Sequence, residues 1–364
     1  MGCRTVIYAL MLLATVSCTF AGQPAAPSAG NMYASLFELL PDAAVSISPF
    51  TGDRDTLYID APMDNIVCMS SSHVAFLSEA GAVKSVSAAS GVRFLSDSTL
   101  AESPALVEVG DEAAFDYEAV MRLKPDVVLA YTVSSVEPQY IARLRSLGVR
   151  VFIIYDHLEH HPLARAEYIR LAGALTGRRA QADSVFNAVC EKYVSLAAAV
   201  SHRAGDAGME VASGREHSGR RVKVLMNLPF SDMWYVPGED NYMSYLIRDA
   251  GGEVLGARKG RSSSSVISVE EAYRLSREAD FWLHPGSCTT RDRITEIHPL
   301  FSRFGPMQRP RSIFNNVAQS NASGGNAFWE SGAVHPELIL SDLIAIFNGD
   351  ASGCSRLHYY IEVE

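Results

Sequence analysis

Cysteine, long apolar runs and clustered positive charge are all scarce in this chain of 364 residues, and each shortage removes a class of function. The six cysteines include no C-x-x-C pair, which argues against a zinc ribbon or a dithiol redox centre. Cys3 lies in the N-terminal leader and Cys18 just beyond its apolar run. Of the remaining four, Cys68 in NIVCM and Cys190 in a helical stretch read as small buried hydrophobes, and nothing in the sequence supports a Cys288–Cys354 bridge. The N-terminal apolar run VIYALMLLATV, residues 6 to 16, is about half the length a bilayer-spanning helix needs. Lys and Arg total 31 against 41 Asp and Glu, a net charge of −10, and no basic run is interleaved with aromatics, so a nucleic-acid surface is not expected. A Gly-x-Ser-x-Gly elbow is also missing.

What is present points outward from the cytoplasm. Arg4 followed by the short apolar run reads as a signal peptide, residues 1–17. Ser17-Cys18 then resembles a lipobox, with Cys18 as the residue to be acylated; ordinary cleavage after Ala21 is the alternative. Residues 18–30, rich in Ala, Pro, Gly and Ser, read as a flexible tether. With 48% apolar residues the remainder is long enough to bury two cores.

From residue 31 to 160 short apolar strands alternate with helical stretches: NIVCM (65–69), a helix over 73–81, VKSVSA, a helix over 116–123, VVLAY, a helix over 137–147, and VFIIY (151–155). Continuous apolar strands between helices predict a parallel sheet covered on both faces. Residues 161–203 predict two helices separated at Gly177. The second carries Ala182, Val185, Phe186, Val189, Tyr193 and Leu196 on one face and is long enough to bridge two lobes. A polar, Gly-rich stretch at 204–220 reads as a mobile loop. Residues 221–364 repeat the α/β grammar with VKVLMN, FWLH and SIFNN as strands and helices over 240–250, 268–277, 291–303 and 336–347. One phrase occurs twice: Glu118, Arg122, Leu123 and Asp126 before VVLAY are echoed by Glu270, Arg274, Leu275 and Asp280 before FWLH.

Ligands of open parallel sheets sit at the carboxyl ends of the strands. Those ends offer Ser71 and His73, Tyr131, Asn227, Ser287 beside His284, and Asn316, while two aromatic loops add Trp234, Tyr235 and Trp329. Rings stack on flat faces and neutral polar groups fix orientation, so the set suits a large, partly planar ligand. Other readings of the same residues are open. One of Ser70, Ser71 or Ser72 with a nearby histidine would suit a hydrolase, although Ser at a helix start is an ordinary cap. His157, His160 and His161, with His73 and His284, would suit zinc, although adjacent histidines beside a proline read equally as a solvated loop. No side-chain metal site and no cofactor is expected. Glu118 and Glu270, each four residues before an arginine, read first as surface i,i+4 ion pairs.

The motifs IVCMSSSHVAFL, FDYEAVMRLKPDVVLAY, HPLARAEYIRLAGAL, WYVPGEDNYMSYLIRDAGG, WLHPGS and NNVAQSNASGGNAFWESGAVHPELILSDLIAIF together cover most of residues 64 to 348. In this combination the chain resembles the periplasmic substrate-binding proteins of ABC importers for iron-siderophore, haem and cobalamin, and among them the lipoproteins of Bacteroidetes-like bacteria. The resemblance implies two α/β lobes joined by one long helix. It implies a monomer, not an enzyme, that holds an iron chelate or a corrinoid between the lobes and delivers it to an inner-membrane permease dimer. It further implies that Glu118 and Glu270 are the acidic knobs that dock on the permease. Tyr131 stands where cobalamin-binding relatives carry Trp, and the arginine clamp of some siderophore binders has no counterpart here.

Overall fold

The structure, a computed structural model, describes residues 27–28, 30–205, 220–350 and 357–364. The leader, Cys18, Cys354 and nearly all of the 204–220 loop lie outside the described residues.

Each lobe is built on a five-stranded sheet. In the N lobe the strands Ile66–Cys68, Val86–Ala89, Val107–Glu108, Val127–Ala130 and Val151–Ile153 are all parallel. Counted along the lobe, their spatial order is 3-2-1-4-5. In the C lobe Val222–Met226, Gly252–Val254, Phe281–Leu283 and Ile313–Asn315 are parallel, and Ile361–Glu362 closes the edge antiparallel, giving the order 2-1-3-4-5. The central strands are buried on both faces, which is why their sequences are apolar without alternation.

The helix Arg179–Gly205 has 27 residues, about 40 Å at 1.5 Å per residue. It packs against Tyr168–Leu175 on one side and against Pro336–Asn348 on the other. One buried apolar cluster runs through it from Phe76, Leu129 and Tyr168, by way of Phe186 and Tyr193, to Leu246 and Leu340. Sharp bending of this rod would break its own hydrogen-bond ladder, so the helix resists large changes in its direction between the two elements it packs against.

Local chemistry shifts several expected boundaries. The helix expected over 291–303 stops at Ile297, because Pro299 cannot continue it, and a 3-10 turn Pro299–Arg303 follows. Gln139–Ser146 starts only after Pro138, and VKSVSA divides into a 3-10 turn Val83–Ser85 and the strand from Val86. A three-stranded antiparallel sheet, Phe37–Leu39, Ala43–Ile47 and Arg54–Tyr58, precedes the first lobe. Two buried carboxylates hold the chain that leads into it. Glu167 accepts the N–H groups of Met32, Tyr33 and Ala34 at 2.7 to 2.8 Å, and Glu159 accepts those of Ser35 and Leu36 at 2.9 Å.

The repeated phrase is repeated in three dimensions. Both strands that follow it pair directly with the first strand of their own lobe. Asp126 accepts the N–H of Asn65 at 3.1 Å and donates its own N–H to Asn65 O at 2.8 Å. Asp280 does the same with Lys223, at 2.8 and 2.7 Å. The aspartate of each unit therefore sets the register of a central strand pair.

Candidate functional site

The order of each sheet reverses direction between the lobe's first strand and the strand of the repeat, and ligands of open α/β sheets settle at such switch points. In the N lobe this places Ser70, Ser71 and His73 beside Tyr131; in the C lobe it places Asn227 beside His284. Asn227 and His284 both turn in the left-handed region, at φ 68° and 59°, a conformation that non-glycine residues rarely keep without support from their surroundings. That support is visible: Asn227 N donates to Leu283 O at 2.9 Å, its Nδ2 to Tyr235 O at 3.0 Å, and Trp282 Nε1 donates to Asn227 O at 2.7 Å.

Tyr131 and Trp329 are exposed, at 40% and 45%, and each stands edge-on to a buried imidazole. Tyr131 is T-shaped to His73 with centroids 6.5 Å apart, and Trp329 to His284 at 6.3 Å. Burial lowers the pKa of His73 to about 4 and that of His284 to about 3, so both rings are neutral near pH 7. His73 Nδ1 meets Leu129 O at 3.2 Å while its Nε2 is buried and unpaired; His284 Nε2 meets Tyr360 Oη at 2.7 Å. His157 joins the N-lobe cluster, edge-on to Tyr131 at 5.8 Å. Asp156 beneath it is pulled up by burial but held well below the usual carboxylate range by His157 and Arg165. Arg165 in turn lies 4.7 Å over the ring of Tyr242 from the C lobe.

Two cavities flank Tyr131. One of about 450 Å³ is walled by Met69, Ser70, Ser71, Ser90, Arg93 and Phe94 among others. The other, about 400 Å³, includes Met69, Val133, Val136 and Tyr140. Both are lined by the N lobe alone. Seven of the exposed large apolar side chains stand in segments that follow central strands: Phe94, Tyr131, Val133 and Val136 in the N lobe, Phe230, Met233 and, further along its loop, Trp329 in the C lobe. Phe94, Val133, Val136 and Phe230 were not among the expected site residues. Their signal lay in apolar side chains standing in loops directly after strands.

The other expected residues have diverse places. Trp234 is fully buried, stacked on Phe304, with its Nε1 donating to Met226 O at 2.8 Å, a position that leaves no face for a ligand. Tyr235 is half-buried on the strand that Trp234 begins, Ser287 is exposed, and Asn316 is 5% exposed with Nδ2 unpaired. Ser71 opens the helix Ser71–Glu79, and Ser70 caps it, its Oγ accepting from Ser72 N at 3.3 Å. His160 and His161 separate from His157. His161 Nδ1 accepts from Leu163 N at 3.1 Å and caps the next helix, and no group of three or more potential ligands for a metal ion occurs among the described residues.

Glu118 and Glu270 occupy the same position, second in the helices Tyr117–Leu123 and Val269–Ser276, and both are exposed. Among the described residues neither forms an ion pair: Arg274 turns instead to Glu271, at 2.6 and 3.0 Å.

The sequence matches the periplasmic binding protein family over residues 66–297. Two uncharacterized lipoproteins of Methanocaldococcus jannaschii are 20% and 24% identical, over 84% and 72% of this chain and 70% and 65% of their own lengths. Among solved structures, a periplasmic heme binding protein from Pseudomonas aeruginosa superposes with TM-score 0.60 at 16% identity, covering 83% of this chain and 98% of that one. The periplasmic vitamin B12 binding protein BtuF of Vibrio cholerae superposes with TM-score 0.56 at 12% identity, covering 80% and 99%. The siderophore binding protein FhuD of Vibrio cholerae, bound to Fe3+-Desferal, gives 0.53 at 16%, covering 79% and 99%.

Proposed function

The chain belongs to the periplasmic binding protein family, a family of binding proteins rather than enzymes, and from that premise we propose that it is the substrate-binding component of an ABC importer for an iron chelate, siderophore or haem-like. The observation that carries this reading is the matched pair of exposed aromatics, Tyr131 and Trp329, each backed by a neutral buried histidine at the mouth of its own lobe. Rings of this kind hold a broad, partly planar guest by stacking and hydrophobic contact without a fixed charge. Solved neighbours whose ligands are heme, vitamin B12 and Fe3+-Desferal share the fold and support the class. Ser71, Asn227, Ser287 and Asn316 are the polar groups that orient the ligand, Tyr235 adds a further ring, and His73, fully buried, acts only from behind Tyr131. Glu118 and Glu270 present two equivalent carboxylates to a two-fold permease dimer. Cys18 anchors the protein by a lipid on the periplasmic side, and the protein acts as a monomer.

Incubation with ferric siderophores, haemin and cobalamin, followed by gel filtration, tests the reading. One coloured iron chelate co-eluting at one per chain, unchanged after hours and lost in Tyr131→Ala, is the expected result. Retention of the corrinoid alone would replace the iron chelate with the corrinoid alternative. Retention of none, or chemical conversion of the ligand, would overturn the proposal.

A further inference from the structure

We infer that residues 321–330 of the C lobe form a strap that clips the N-lobe lip 93–96, making Phe94 and Trp329 one ligand wall, with Asn321, Gly325 and Glu330 as its positioning residues. The inference rests on the binding reading above and adds to it how the wall is held.

Three contacts of different kinds build the strap. Asn321 uses its whole amide: Nδ2 donates to Arg93 O at 3.1 Å and Leu95 O at 3.0 Å, while Oδ1 accepts from Ser323 N at 3.0 Å and Gly325 N at 2.8 Å. Turning the amide over would set donor against donor and acceptor against acceptor, so its orientation is fixed by all four partners. At Gly325 the two backbones meet directly. A Cβ there would lie 2.0 Å from Phe94 O, so only glycine permits the approach. Glu330, 6% exposed, receives Ser96 N between its two carboxylate oxygens at 2.9 and 3.2 Å.

The strap joins an N-lobe cavity wall at one end to an exposed aromatic at the other. Arg93 and Phe94 wall the 450 Å³ cavity that also contains Tyr131. Trp329 immediately precedes Glu330 and packs edge-on against the buried Phe328 at 4.8 Å. A lip clipped from the opposite lobe is already ordered before a ligand arrives, which removes an ordering cost from binding. Without the strap only a fraction of molecules would hold the wall, and apparent affinity falls by that fraction.

The test uses the full chain and one optical feature: of the three tryptophans, Trp234 and Trp282 are fully buried, so a collisional quencher reads Trp329. In ligand-free protein, Asn321→Ala and Glu330→Ala should speed hydrogen exchange at the Ser96 amide and raise acrylamide quenching of Trp329. Glu330→Gln, which keeps an acceptor, should restore both. Affinity for the chelate retained by the wild type should fall roughly tenfold in the alanine variants, through slower apparent association, as expected if the competent fraction drops to about a tenth. The inference is overturned if exchange at Ser96 or affinity stays at the wild-type value in both alanine variants. Should the wild type retain no chelate, the ligand assignment fails by itself, and the exchange and quenching measurements still decide the strap.

Discussion

In the N lobe the strand of the repeated unit ends at Tyr131, 40% exposed and flanked by cavities; in the C lobe the matching strand ends at His284, 7% exposed and hydrogen-bonded to Tyr360. Upstream of those residues the two units agree closely, from the exposed glutamate at the second helical position to the aspartate that fixes the neighbouring strand. The two units therefore share what fixes the central strand pair and what stands on the outer surface, and they differ in the residue that ends the strand. In the C lobe the exposed aromatic stands instead on another loop, at Trp329, edge-on to His284.

The strongest challenge to this equivalence is transport. Alanine at both Glu118 and Glu270 should leave chelate binding intact and reduce uptake by at least about tenfold, since rim charges act mainly on orientation and association rate. Each single change should have a similar, smaller effect. Uptake unaffected by the double change, or lost through one glutamate alone, would break the symmetry.

Next in size is the contrast between two tryptophans that look alike in sequence. Trp234→Ala should destabilise the protein by about 3–5 kcal/mol through an internal cavity. Trp329→Ala should cost within about 0.5 kcal/mol of stability, as for other exposed positions, yet lose ligand. Chemical denaturation of both variants checks the pair, and equal losses would contradict the placement of Trp234 in the core.

Asp126→Ala and Asp280→Ala sharpen the comparison further. Each removes an acceptor from a part-buried backbone N–H at the start of a central strand, so each should cost about 1–2 kcal/mol. Denaturant midpoints that differ widely between the two would show that the echo is one of sequence only.

The smallest effect concerns His335, which links Glu79 of the N lobe at 3.4 Å to Glu337 of the C lobe at 3.1 Å. Burial pulls its pKa down, but the two carboxylates outweigh it and raise it from 6.5 to about 9. A pKa raised on folding contributes stability that is complete below about pH 6.5 and is lost as pH rises through about 9. The wild-type Tm should therefore decline over that window relative to His335→Gln. Parallel profiles would remove the charged clamp from the account.

The parallel sheets were legible because a strand buried on both faces has to be a short, unbroken apolar run, as in VVLA and FWL. The antiparallel sheet at 37–58 was not, since Arg54–Tyr58 buries only Leu57 and its charged residues resemble a loop. Trp234 and Trp329 could not be told apart by residue type. What separates them is that Trp234–Val236 pairs with Ser265–Ile267 and turns Trp234 inward, a non-local pairing that local sequence does not announce. Glu159 and Glu167 were equally silent, because their partners are backbone N–H groups more than 120 residues away.

The central claim is that one exposed aromatic from each lobe grips a single bulky guest. Titration of the protein with the retained chelate, followed by tryptophan fluorescence in the wild type and in Tyr131→Ala, addresses it most directly. The account predicts saturable quenching of Trp329 at one equivalent, with the midpoint moved at least tenfold when Tyr131 is removed, because both rings contact the same ligand. Quenching at an unchanged midpoint in Tyr131→Ala would show that the two lobes do not share a guest, and would contradict the account.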